Sequence, residues 1–229
     1  MKTRELRSIV LLIVMLVAIS SVAQFVTPVS SITGQAEVTT VDGKMYSGKL
    51  KNAIWGPTGM TSFKLLDESG VDMKLKAAEV EQLKIKVDGL AKMEIIAEQS
   101  SNIKKLAKSN FKEVVDREHI YWQRVKLPGK EKYLLLQLLN PGFDELLQVY
   151  EIPNAKSGEL SVDGIGVSGG MATAYYVVKN GNTLKITKKQ FKKEDFKLLF
   201  GDCKKMMDEV EPDFKEFALQ VFLYDDICK

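Results

Sequence analysis

The sequence predicts an α+β fold: an antiparallel β-rich body, either a small barrel or curled sheets, closed by a helical C-terminal cap. Three observations predict it. Short period-two segments recur between turn dipeptides over 35–89 and again over 117–186. The apolar residues switch to a helical period over 187–229. Beyond residue 23 no apolar run is long enough to cross a bilayer, which needs about 20 residues, so the remaining chain is expected to bury its own core.

Residues 24–34 (QFVTPVSSITG) have no period and are expected to form a short polar lead-in. AEVTTV, Asp42-Gly43 and KMYSGKL then make a hairpin, because Asp-Gly supplies the positive φ that a tight type I′ turn needs. TSFKLLDESG and VDMKLKA form a second pair around Gly70, and LKIKVDG adds a further strand. Four or five short strands within 35–89 suggest a small barrel or curled sheet. The stretch 90–116 is an uncertain connection: Ile103, Leu106, Ala107 and Phe111 fit one helical face after Ser101 or Asn102 as cap, and the same residues also fit strands with a charged edge.

The sheet signal returns at 117–186. IYWQRVKL, Pro128-Gly129 and YLLLQLL form a hairpin, and Asn140-Pro141-Gly142 leads into FDELLQVYEI. A Gly-rich segment (DGIGVSGG, 163–170) precedes MATAYYVV, which Asn180-Gly181 turns into TLKI. Val-Asp-Gly recurs at 41–43, 87–89 and 162–164, but the spacings are unequal, so it is turn chemistry and not a repeat.

The cap occupies 187–229. Thr187 with Gln190 reads as a capping box for a helix over Lys188 to Phe200, stopped by Gly201. Asp202 is placed to cap a second helix, in which Cys203, Met206, Met207 and Val210 share one face. Pro212 suits the first turn of a third, where Phe214, Phe217, Ala218 and Val221 again share a face.

Residues 1–23 have the pattern of a secretory leader: Lys2, Arg4 and Arg7 against Glu5, the apolar run Ile9 to Ile19, then Ser21 and Ala23 at the small-residue positions that signal peptidase reads. An uncleaved N-terminal anchor is the alternative. The expected location is therefore exported: periplasmic, outer-membrane-associated or secreted. The chain's formal charge is +3, and without the leader it falls to +1, which argues against nucleic acid as a partner. In an oxidising compartment Cys203 and Cys228 are expected to bridge, with buried free thiols as the alternative.

No catalytic, metal or cofactor constellation survives inspection of its context. Gly166-Val167-Ser168-Gly169-Gly170 matches G-x-S-x-G, but a strand and not a helix is expected after it. The order His119, Asp144, Ser168 is that of chymotrypsin, and GVSGG resembles the serine-protease nucleophile block over five residues. However, Met171 stands where that family has Pro, and too few residues separate His119 from Ser168 to build two barrels. A secreted hydrolase using Ser168 is thus an alternative to a flexible Gly-rich connection. Gly164-x-Gly166-x-x-Gly169 lacks the helix and the later acid of a dinucleotide site. One His and two Cys make no standard zinc site, and no cofactor is implied.

Lys188, Lys189, Lys192, Lys193 and Lys197 form a basic stripe, which is either a solvated helix face or a contact for an anionic membrane surface. Tyr121-Trp122 and Tyr175-Tyr176 are candidate contact residues for an envelope or extracellular ligand, with core packing as the alternative. The leading expectation is a non-catalytic envelope or secreted protein with a binding or structural role.

The segment YYVVKNGNTLKITKKQFKKEDFKLLFGDCKKMMDEV (175–210), together with VTTVDGKMYSGKL (38–50), resembles a recurring group of uncharacterised exported proteins of Gram-negative bacteria. The resemblance implies export and a β-rich body with a Lys-rich, Cys-containing helical tail. It carries over no functional residue.

Overall fold

The computed structural model describes residues 24–29, 32–100, 117–153, 155–157, 160–162, 165–167 and 171–229. The expected leader at 1–23, the helical face expected from Ile103 to Phe111, and Ser168 lie outside them. The fold is α+β, and every strand pairing is antiparallel. Strands β1 (Gly34–Thr40), β2 (Met45–Gly56), β3 (Gly59–Asp67), β5 (Val80–Lys86), β6 (His119–Lys126) and β7 (Tyr133–Gln137) close a barrel in the order β2-β1-β5-β6-β7-β3, with β3 returning to β2. β4 (Asp72–Lys76) adds to β3 beside the ring. The barrel closes where Met60 pairs with Leu135. Gly59 makes that approach possible: it has φ +153, and a Cβ there would stand 2.4 Å from Leu136 Cδ2.

Alternation fills the interior with Ala36 and Val38 from β1, Leu50 from β2, Phe63 and Leu65 from β3, Leu83 and Ile85 from β5, and Ile120 and Trp122 from β6. Helix α1 (Gly89–Ser100) follows β5 and adds Ala91 and Ile95 to the same core. It precedes the stretch for which Ser101 or Asn102 is the expected cap, and that stretch lies outside the described residues. The cap is Asp88, whose Oδ1 accepts from Ala91 N at 2.9 Å while Oδ2 accepts from the Thr33 hydroxyl at 2.7 Å. The Val-Asp-Gly at 87–89 thus opens a helix; Asp and Gly favour helix caps for the same local reasons that favour turns.

β7 has barrel on one side and a second layer on the other. Leu135 faces the barrel core, whereas Leu134 and Leu136 pack with Tyr150, Ile152, Ala174 and Tyr176. That layer is the sheet β14-β13-β8, made of β8 (Gln148–Glu151), β13 (Ala174–Lys179) and β14 (Asn182–Thr187). A Leu138↔Tyr150 bridge joins it to the end of β7. Between β8 and β13 lie two short pairs, β9 (Lys156–Ser157) with β12 (Met171–Ala172), and β10 (Leu160–Val162) with β11 (Ile165–Val167). Asn180 and Gly181 both take positive φ, 50° and 75°, as the expected hairpin turn requires.

The far face of that sheet is covered by the cap. Thr187 Oγ1 accepts from Gln190 N at 3.3 Å, the first half of the expected capping box. The chain then winds as a π turn over Phe191–Asp195 before α2 (Phe196–Phe200) ends at Gly201. α3 spans Lys204–Glu209, and α4 spans Phe217–Ile227 after a 3-10 turn at Phe214–Glu216. Asp202 does not cap α3: Cys203 stands at that position, and Asp202 instead bonds Tyr224 and Lys179. Met206, Phe217, Val221 and Tyr224 are buried against Val149, Val177 and Ile186. Cys203 and Cys228 form a disulfide with Cα atoms 5.9 Å apart.

The lead-in differs most from expectation. Phe25 and Val26 pack on the cap core, and Val29 and Ile32 belong to the barrel core. Val26 N donates to Leu139 O at 2.7 Å, and buried Gln137 holds the strap through Val29 N at 2.9 Å and Thr27 O at 3.2 Å. Its apolar residues serve two different cores, so they show no single period.

Candidate functional site

Of the residues of the hydrolase alternative, His119 and Asp144 are described and Ser168 is not. His119 opens β6 and its Nδ1 lies 4.0 Å from the neighbouring Glu118. Asp144 sits in the loop before β8 and accepts from Gly142 N at 3.2 Å. Among the described residues no hydrogen bond joins His119 to Asp144. No group of three or more His, Cys, Asp or Glu is arranged to hold a metal ion among the described residues.

The aromatic candidates are chiefly core. Tyr176 is buried between the sheet and the barrel wall. Tyr175 lies in a ring cluster with Phe25 at 5.4 Å and Phe217 at 5.4 Å. Tyr121 is half-buried on the outer side of the same wall. The reason is topological: β6 and β13 are central strands, covered on both faces, so neither offers a free aromatic row.

Trp122 is core as well, and differs in its polar atom. It is 2 % exposed inside the barrel, and its indole Nε1–H is buried without an acceptor among the described residues. Its neighbour is Trp55, whose ring packs edge-on at 5.3 Å and 70°, and which is 40 % exposed. Trp55 comes from the end of β2. Because neighbouring strands run antiparallel, the ends of β2, β5 and β7 and the starts of β3 and β6 share one end of the barrel. α1 leaves β5 at that end, and the strap crosses it at Gln137.

Two bulges aim Trp55 inward. Leu50 pairs with Leu65 but Asn52 with Lys64, so Lys51 is an extra residue on β2. Before it Gly48 and Leu50 face the interior; after it Ala53 and Trp55 do, and Ile54 faces out. Ile54 then pairs with Ser62 but Trp55 with Met60, so Thr61 is extra on β3 and Met60 turns into the core beside Trp55. Arg124, the next residue of β6 on the face of Trp122, is engaged by Glu81 at 3.0 Å and lies over Tyr133 at 4.7 Å. The arrangement is therefore a buried donor beneath a half-exposed aromatic ring, at a barrel end shaped by bulges.

The Lys188–Lys197 stripe is exposed at all five lysines. The sequence reading placed Trp122 among contact candidates but missed Trp55. The signal was present: the apolar series Leu50, Ala53, Trp55 steps by three and then two, which is a change of phase in a strand. Compared with family models, with curated proteins and with solved structures, this chain has no match.

Proposed function

We propose that this chain is an exported, non-catalytic binding protein of the envelope or the extracellular space, and that its ligand enters the barrel end beside Trp55 and accepts the Trp122 N–H. One observation supports the binding site most: the orphaned indole N–H of Trp122. A buried donor without a partner costs about 1–3 kcal/mol, so native proteins supply an acceptor nearly everywhere. An edge-on ring neighbour substitutes only weakly. Export is supported by the pattern of residues 1–23 and agrees with the Cys203–Cys228 bridge.

The chain has 2 tryptophans, so both indole N–H signals in a nitrogen-15 spectrum report on this site alone. A panel of aromatic and alicyclic carboxylates and amides is titrated against the protein. At least one compound is expected to shift the Trp122 signal saturably, and Trp55→Ala to weaken that binding. If no compound shifts it, and the Trp122 N–H exchanges with deuterium only through global unfolding, the barrel end is closed core and the proposal fails.

A further inference from the structure

The cap presents a second surface, independent of the barrel end. Phe191, Asp195, Phe196, Leu199 and Phe200 bury one side of the π turn and α2. The opposite side exposes Lys188, Lys189, Lys192, Lys193 and Lys197, with Leu198 54 % exposed among them. Glu194 is the sole exposed acid between Lys188 and Phe200. We infer that this face docks the protein on an anionic phospholipid bilayer.

One further feature favours a bilayer over another polyanion. The exposed aliphatic Leu198 stands among the lysines, and a headgroup layer receives both charge and an apolar side chain, whereas a nucleic acid backbone receives only the charge.

The barrel carries a competing basic surface. Lys64 stands directly opposite Lys74, with Lys76 two residues on, all exposed. Among the described residues β4 pairs only with β3, and Lys74 and Lys76 on such an edge strand prevent edge-to-edge association, which accounts for them without a partner. They serve as the control.

The test is co-sedimentation of the exported chain, freed of its leader, with phosphatidylcholine vesicles with and without phosphatidylglycerol, at low and high NaCl. Binding is expected only with phosphatidylglycerol and is expected to weaken as salt rises. Lys192→Gln/Lys193→Gln/Lys197→Gln lowers partition on the order of a hundredfold, from roughly fivefold per lysine. Leu198→Ser lowers it severalfold without changing the salt dependence. Lys64→Gln/Lys74→Gln/Lys76→Gln leaves it unchanged. Absence of binding to phosphatidylglycerol vesicles overturns the inference, as does equal binding to neutral vesicles, loss in the barrel variant instead of the cap variant, or tighter binding to duplex DNA or lipopolysaccharide than to the vesicles.

Discussion

Removing the disulfide is the sharpest test of how the cap is held. Cys203 and Cys228 are 25 residues apart in sequence and enclose α3, the 3-10 turn and α4. Closing a loop of that size lowers the entropy of the unfolded chain by an amount worth about 3.5 kcal/mol. The bridge is not the cap's only tie. Tyr224 Oη donates to Asp202, lying 2.9 and 3.0 Å from its two carboxylate oxygens, and Lys179 Nζ reaches Asp202 at 2.8 Å and lies over the Tyr224 ring at 5.1 Å. Burial raises the Asp202 carboxyl pKa, and the bonds from Lys179 and Tyr224 outweigh it, holding the group below the usual carboxylate range. Cys203→Ser/Cys228→Ser should therefore still fold, keep its circular dichroism and retain these contacts. Its guanidinium unfolding should show a loss of about 3 kcal/mol together with a steeper slope, because the open chain exposes more surface when unfolded. A loss below about 1 kcal/mol with an unchanged slope would refute chain entropy as the source of the stabilisation.

Two more outcomes follow from single side chains. Asn140 is fully buried and makes three bonds, donating to Phe143 O at 2.7 Å and Leu147 O at 2.7 Å and accepting from Val149 N at 2.8 Å. Asn140→Ala should cost about 2–4 kcal/mol in equilibrium unfolding, since it orphans Phe143 O and Leu147 O in the loop before β8 and Val149 N within β8. Asp42 is held down to about 2 by hydrogen bonds from Lys44 and Thr40, so its carboxyl carbon-13 signal should titrate near there and not near 4. Its pKa is lowered on folding, so its contribution is present above the ordinary aspartate pKa and is lost as pH falls through about 2; Asp42→Asn should remove that component and leave the neutral-pH fold unchanged.

Much of the fold was legible because local chemistry and tertiary structure agree. Asn180-Gly181 joins two strands with both residues at positive φ, and the helical period at Phe217 and Val221 marks the face that packs on the sheet; at Asp42-Gly43 the hairpin forms, but only Gly43 takes positive φ, so its turn is not the type I′ turn read from the dipeptide. Legibility fails where a residue answers to two cores. The run Leu134 to Leu139 reads simply as a strand, yet Leu135 faces the barrel while Leu134 and Leu136 face the second sheet. Nothing in an unbroken apolar run assigns its alternate members to different cores. The strap fails for the same reason: Phe25 and Val29 are only four residues apart but belong to the cap and the barrel.

The candidate site was harder to read because its geometry rests on single-residue insertions. Trp122 on the barrel side of β6 follows from alternation with Ile120, but the ring that covers it does not. Strict alternation from Leu50 carries Asn52 and Ile54 inward and leaves Trp55 on the outer face. The bulge at Lys51 reverses that assignment, and the one at Thr61 brings Met60 into the interior opposite it. An insertion of this kind disrupts ladder pairing, and strands tolerate it chiefly at barrel rims and beside binding sites, where it re-aims a side chain. Two of them on adjoining strands flank one half-exposed tryptophan. Met60↔Leu135 and the open backbone at Gly59 close the ring whichever way the Trp55 side chain points. The bulges therefore bear on the indole N–H beneath Trp55, and the barrel end is where a ligand should be sought first.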